Sequence, residues 1–286
     1  MWLGRRLVVA VCGLASVVSV VGVLWGQNPF RVYRSFEPYD NVKLPDDWQE
    51  KTEWVFARLM YPEHPNALLA RRVRWGAYFN WLDGGTSWTQ DYPRADRHFV
   101  QALRRLTRLS VRSVEQPANP DDLNDFYNWP WMNAGEMGDW KLTESEAATI
   151  REYLLRGGFM MFDDFWGPEE YARFDESMKL IFPDRPVVEM QSKEAIFHSV
   201  YDLDDRVQIL GDWCVHFSMQ CQQRAVGTQA HWLGVYDDKQ RVMIAISFNS
   251  DIGDAWEWAD GPQYPEKMAG LAIRIGVNYV VYAMTH

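Results

Sequence analysis

The chain has 286 residues, 47% hydrophobic and 24% charged, a balance that supports a globular protein with a sizeable core and excludes an intrinsically disordered one. Its net charge of −10 produces a long-range field that repels nucleic acid and anionic membrane surfaces, so neither is expected as a partner. Tryptophan is unusually abundant at 15 residues.

At the N-terminus, Arg5 and Arg6 precede an uncharged run from Leu7 to Trp25, LVVAVCGLASVVSVVGVLW, the layout of an export signal. The run is also just long enough to span a bilayer. Residues 1–26 are therefore read as a signal peptide or a retained N-terminal membrane anchor, and the protein as exported, periplasmic or extracellular. Cleavage would remove both arginines and leave a mature chain at −12. Cys214 and Cys221 are the cysteines outside this segment, and in an oxidising compartment they could pair or stay as two buried thiols.

Residues 27–52 are rich in Pro, Asp and aromatic residues without a clear period, and are expected as an extended linker; 53–286 is read as a single α/β domain. EWVFARLMY, from Glu53, carries strand-forming residues and ends at Pro62, and VRWGAYFNW (73–81) alternates in part as a second strand. Pro93 to Leu109 has the three-and-four spacing of a helix through Phe99, Leu103 and Leu106. VRSVE follows as a short strand, and the aromatic-rich LNDFYNWPWMNAG predicts a strand near Phe126 to Trp129, interrupted by Pro130.

The helix from Thr143 has a capping box with Glu146, an inner stripe of Ile150, Tyr153 and Leu154, and a Gly157-Gly158 stop. FMMFDDF then reads as a strand covered on both faces, because it is apolar without alternation. A helix around Glu169 to Ile181, the strands HWLGVYDD and RVMIAISFN joined at Asp237–Asp238–Lys239, and an apolar helix from Pro265 to Ala283 complete the chain. Strands alternating with helices predict a mainly parallel sheet.

Asp163 and Asp164 stand where the FMMF strand ends, the position at which open α/β sheets bind ligands. Adjacent buried carboxylates repel, so a cation, a helix N-terminus or a raised pKa must relieve them, which points to metal ligation or acid/base chemistry. The plainer alternative is that one caps the helix near Pro168 and the other is solvated. Asn249, Asp251 and Asp254 offer oxygens at i, i+2 and i+5 to a hard cation, or bond to their own backbone as a loop. Asp91 could reach the crevice from a helix start, and His198 could serve as a base or ligand. Trp131 and Trp166, beside these acids in sequence, could wall the site for a sugar ring, or could simply bury loops.

FARLMYP (56–62), SWTQDYPRADRHF (87–99), YLLRGGFMMFDDFWG (153–167), IFHSVYDLDD (196–205) and GVYDDKQRVMIAISFNSDIGDAWEWAD (234–260) together resemble domain of unknown function family 4159, exported bacterial proteins. The resemblance runs from Glu53 to His286. It implies a flavodoxin-like three-layer α/β sandwich with a mainly parallel central sheet, similar to the class I glutamine amidotransferase superfamily, and it implies no activity. Amidotransferases of that superfamily carry a nucleophilic cysteine on the turn that corresponds here to Phe162-Asp163-Asp164-Phe165, where this chain has none.

Three functions fit these residues. The leading one is a non-enzymatic module that binds a small polar ligand or an envelope protein in an acidic, aromatic-lined crevice. The alternative is a hydrolase acting on carbohydrate or another polar substrate through Asp163 or Asp164, with His198 as a further catalytic candidate and a divalent cation as the one cofactor the residues could hold. The third is a structural subunit of an envelope complex.

Overall fold

The structure, a computed structural model, describes residues 29–37, 42–67, 80–216 and 229–286. The leader and anchor readings of 1–26, most of the strand expected over 73–81 with Trp75, and Cys221 lie outside these residues. Trp81 itself opens a 3-10 turn, Trp81–Asp83. Cys214 is disulfide-bonded, and its partner also lies outside them.

A seven-stranded sheet runs through the molecule with helices on both faces. In chain order the elements are β1 (Ala57–Leu59), α1 (Arg94–Leu106), β2 (Gln116–Ala118), α2 (Leu123–Phe126), β3 (Trp131–Ala134), α3 (Glu144–Leu155) and β4 (Phe159–Phe162). They continue with α4 (Gly167–Ile181), β5 (Val188–Glu189), α5 (Asp212–His216), β6 (His231–Tyr236), β7 (Val242–Phe248), α6 (Ile252–Glu257) and α7 (Glu266–Thr285). Across the sheet the order is β2-β1-β3-β4-β7-β6-β5. The first five of these strands pair in parallel, and β6 and β5 add an antiparallel edge.

Each face of the sheet has its own core. Phe56, Trp131, Phe159, Met161 and Ala245 pack on one face with Phe99 of α1, Trp256 of α6 and Ile275 of α7. Ala57, Met132, Met160, Phe162 and Ile244 pack on the other with Ile150 and Leu154 of α3 and Phe174 and Met178 of α4. This two-sided burial is why β4 reads FMMF without alternation. Helix α3 starts with the expected reciprocal capping box between Thr143 and Glu146. It stops at Gly157, whose φ of 109° suits glycine. Helix α7 is long and apolar enough to cross a membrane, and its stripe through Ala272, Ile275 and Tyr279 is buried in the core.

Two elements differ in kind from their sequence expectation. VRSVE makes only an isolated bridge at Val111, and the strand follows it at Gln116–Ala118. Leu123–Phe126 is a short helix capped by Asp122, and the strand begins after Pro130 rather than before it. Pro130 has no N–H to give to a ladder, and its carbonyl instead accepts from Phe159 N–H at the mouth of the β3–β4 pair.

The N-terminal segment 29–37 lies along the domain. Arg34 bridges to Gly84, Phe36 N–H donates to Thr89 O, and Tyr33 N–H donates to the Tyr92 hydroxyl. Glu37, in this segment, accepts from Asp91 N–H and so reaches the site described next.

Candidate functional site

The register of the sheet places Arg58, Asn133, Met161 and Ala245 in one row on the α1/α6/α7 face. Alternation then puts Asp163 and Ser247 on the same face one row nearer the carboxyl ends. A polar row therefore sits at the carboxyl ends of β1, β3, β4 and β7. Loops above it bring in Asp91 and Asp251, α6 brings in Asp254 and Glu257, and the N-terminal segment brings in Glu37.

Asp163 and Asp164 separate, as their places in the chain require. Asp163 Oδ2 accepts from the N–H groups of Ile252 and Gly253, both at 2.8 Å, while its Oδ1 is buried with no hydrogen-bond partner among the described residues. Asp164 adopts φ 50°, turns to accept from Trp166 Nε1 at 2.8 Å, and donates its N–H to Ser250 O. The two carboxyls thus have different neighbours and do not form a symmetric pair.

Asp91, at φ 60°, donates its N–H to Glu37 at 3.1 Å and points its carboxyl at α6. A Cβ on Gly253 would lie 2.3 Å from Asp91 Oδ2 and 3.8 Å from Asp163 Oδ2. A Cβ on Gly211 would lie 2.5 Å from Asp251 Oδ2 and 2.6 Å from Asp254 Oδ2. The carboxyls occupy the space that side chains at these two glycines would fill. Asp251 caps α6 by accepting from Asp254 N–H, and Asp254 in turn accepts from Asp212 N–H at 2.7 Å.

Asp91, Asp254 and Glu257 each offer one oxygen, and these oxygens lie within 4.8 Å of one another. Glu257 sits one helical turn after Asp254, so both project from the same side of α6. Asp91 Oδ1 and Glu257 Oε1 are buried without a hydrogen-bond partner among the described residues.

The electrostatics follow from this crowding. Burial, then the charges of Asp254, Glu37 and Asp164, pushes the Asp91 carboxyl well above the usual carboxylate range. Burial, then Asp164 and Asp254, does the same to Asp251, and burial raises Asp254. Burial pushes Asp163 up to about 6 and Glu37 to about 7. Glu257 rises to about 9 through burial and then the nearby Glu37. Arg58 opposes these charges from β1, but its guanidinium is held by both oxygens of buried Asp96 and by the carbonyls of Trp88 and Gln90.

Three of the residues singled out from sequence lie elsewhere. Trp131 begins β3 at the amino end, fully buried against Trp54, Phe56 and Phe99. Its place in chain suggested the site, but four strand residues carry it to the opposite end of the sheet. Asn249 is a clamp: its Oδ1 accepts from Gly167 N–H and its Nδ2 donates to Gln229 O, which leaves the i, i+2, i+5 grouping without its first member. His198 bonds to Asp202 and to Ser192 O on the surface, away from these acids. Of the two expected wall residues, Trp166 meets the acids, through its Nε1 bond to Asp164.

Sequence reasoning missed Glu37, Arg58, Asn133, Ser247 and Glu257. Arg58, Asn133 and Ser247 carried a readable signal, a polar side chain inside an otherwise apolar strand, and Glu257 carried the three-residue spacing from Asp254. Glu37 carried none, because its place depends on how residues 29–37 fold back.

The fold and the cluster define a mixed α/β protein, mostly parallel in its sheet, with a buried acidic site over the strand ends. A family model described as Domain of unknown function (DUF4159) matches residues 72–284, and the chain belongs to that family. Comparison with curated proteins gives no match.

Proposed function

We propose that this is an exported, non-enzymatic module that binds a small polar ligand or an envelope partner in the crevice above the ends of β1, β3, β4 and β7. The observation that carries the reading is the set of buried polar atoms there that have no hydrogen-bond partner among the described residues: Asn133 Nδ2, Asp163 Oδ1, Ser247 Oγ, Asp91 Oδ1 and Glu257 Oε1. Each such group costs about 1–3 kcal/mol unless something satisfies it. Several at one place are a large burden on a fold of ordinary stability. Carboxyl oxygens predominate in the set, so the ligand it suits is rich in donors.

The strand order supports a flavodoxin-like, class I glutamine amidotransferase-like reading of the fold. The parallel part runs 2-1-3-4 and then β7, with the reversal between β1 and β3. Arg58 and Asn133 stand on those two strands, at the place where such sheets bind ligands. The Arg5–Arg6 pair before Leu7 to Trp25 supports export, with that segment cleaved or kept as an anchor.

The second reading, a hydrolase acting on carbohydrate or another polar substrate, rests on Asp163, a carboxyl near pKa 6 with one unpartnered oxygen. Such a group can exchange a proton near neutral pH. The test is a thermal-shift screen of amino sugars, diamines and polyols in EDTA, repeated on Asn133→Ala. A donor-rich compound that stabilises the parent and not the variant supports the module. Turnover of a glycoside that Asp163→Asn abolishes would replace it with the hydrolase.

A further inference from the structure

We infer that Asp91, Asp254 and Glu257 form a site for a single hard divalent cation of the Ca²⁺ type, with Glu37 closing it from the N-terminal segment. The inference deepens the crevice reading above and rests on it, since the cation would be one of the donor-seeking carboxyls' partners.

Three observations support the site. Oxygens of the three carboxyls lie within 4.8 Å of one another. Two ligands on opposite sides of one ion are separated by at most twice the metal–oxygen distance, roughly 4.6–5.2 Å for Ca²⁺ and about 4.0–4.2 Å for Mg²⁺. The 4.8 Å limit lies within the span that one Ca²⁺ ion can bridge, so a single such ion can reach all three carboxyls. The second observation is independent of the clustering: Asp91 Oδ1 and Glu257 Oε1 have no hydrogen-bond partner among the described residues, and their side chains are 5% and 1% exposed. Asp254 hydrogen-bonds with the side chains of Asp91 and Asp251, and Glu257 with that of Trp258, yet these bonds leave one buried oxygen each of Asp91 and Glu257 unsatisfied among the described residues, where a cation would serve them.

The third is the charge balance. Arg58, whose charge draws the Asp91 pKa down in part, is engaged by Asp96 and two carbonyls and so is not free to pair with Asp91 directly. The donor set, carboxylates without His or Cys, selects hard ions over zinc or copper. Glu37 stands beside the triad because Asp91 N–H donates to one of its oxygens, and its other oxygen has no hydrogen-bond partner among the described residues. Cation binding would therefore tie residues 29–37 to the loop before α1 and to α6.

The experiment is a calorimetric titration of CaCl₂ into the full-length chain stripped with EDTA, beside Glu257→Gln, Asp254→Asn and Asp238→Asn. Asp238 is an exposed acid paired with Arg185 outside the site. The expected result is one site with a dissociation constant below about 1 mM, the range of extracellular calcium modules. It should weaken by about tenfold or more in Glu257→Gln and Asp254→Asn and stay unchanged in Asp238→Asn. Terbium luminescence on the parent protein reads the same site if a variant fails to fold. No calcium heat and no terbium signal, or equal binding by all variants, overturns the inference. The crevice reading has its own outcome: a donor-rich organic compound that binds in EDTA while calcium does not keeps the crevice and removes the cation, and the reverse removes the organic ligand and keeps the cation.

Discussion

Gly253 places its backbone so close to Asp91 that a Cβ there would lie 2.3 Å from Asp91 Oδ2. The contact is with the end of a short side chain, so a methyl group displaces the carboxylate rather than the fold. Gly253→Ala is expected to leave the melting temperature of the EDTA-treated protein within a few degrees of the parent and to weaken calcium about tenfold, since ligand misplacement is costly in metal sites. Calorimetry and a melt on the same sample check both halves. Unchanged calcium binding with a lowered melting temperature would show that Gly253 serves packing alone.

The acid cluster gives the metal-free protein an unusual pH dependence. Asp163, Glu37 and Glu257 have folded pKa values raised to about 6, 7 and 9. Unfolded, these carboxyls titrate near 4. The folded state therefore binds more protons between these limits, so their stabilising contribution is complete below about pH 4 and is lost as pH rises through the folded values. For Asp163 alone the difference is on the order of 2–3 kcal/mol. Carboxylates held low, such as Asp184 at about 2 beside Arg151, act below this window. In EDTA the urea midpoint should be higher at pH 5 than at pH 8, and Asp163→Asn should reduce the difference. A flat profile, or greater stability at pH 8, contradicts the burial of these groups as uncompensated carboxyls.

Calcium should reverse that trend. Ligand carboxyls must be deprotonated to bind, so the cation stabilises more at pH 8 than at pH 5. By mass action, free calcium at about 100 times its dissociation constant adds roughly 2.7 kcal/mol. The check is the same urea series with calcium present, where equal shifts at both pH values would speak against carboxylate ligation.

Arg58 and Asp96 are buried against one another on β1 and α1. Arg58→Met leaves the Asp96 charge buried without its partner and should cost about 3–5 kcal/mol in urea unfolding. The double variant Arg58→Met, Asp96→Leu should recover most of that loss, because replacing both members of a buried pair is close to neutral. A single variant as stable as the parent would mean that Asp96 is neutral in the folded protein.

Much of the scaffold was legible in the chain because its signals are local. The Thr143 capping box, the Gly157 stop and the unbroken FMMF run each depend on a few adjacent residues, and each gives the expected element. The strand order was not legible, since which strand lies beside which depends on contacts far apart in sequence. The site was half visible for the same reason. Asp163, Asp164, Asp91, Asp251 and Asp254 announce themselves at strand ends and loop turns. Trp131 misled because sequence neighbourhood hides strand polarity: it opens the strand whose other end faces the acids. Asn249 carries the spacing of a ligand, but its amide links Gly167 and Gln229. Glu257 is masked in the sequence by the tryptophans on either side of it, although its helical spacing from Asp254 sets both on one side of α6.

The most direct measurement is a crystal structure of the full-length protein grown with Mn²⁺ or Tb³⁺, with an anomalous difference map. The account predicts a single peak about 2.0–2.6 Å from oxygens of Asp91, Asp254 and Glu257. It also predicts added density between Asn133, Asp163 and Ser247 when a ligand is bound. No anomalous peak at the triad, over a crevice holding neither ion nor ligand, would contradict it.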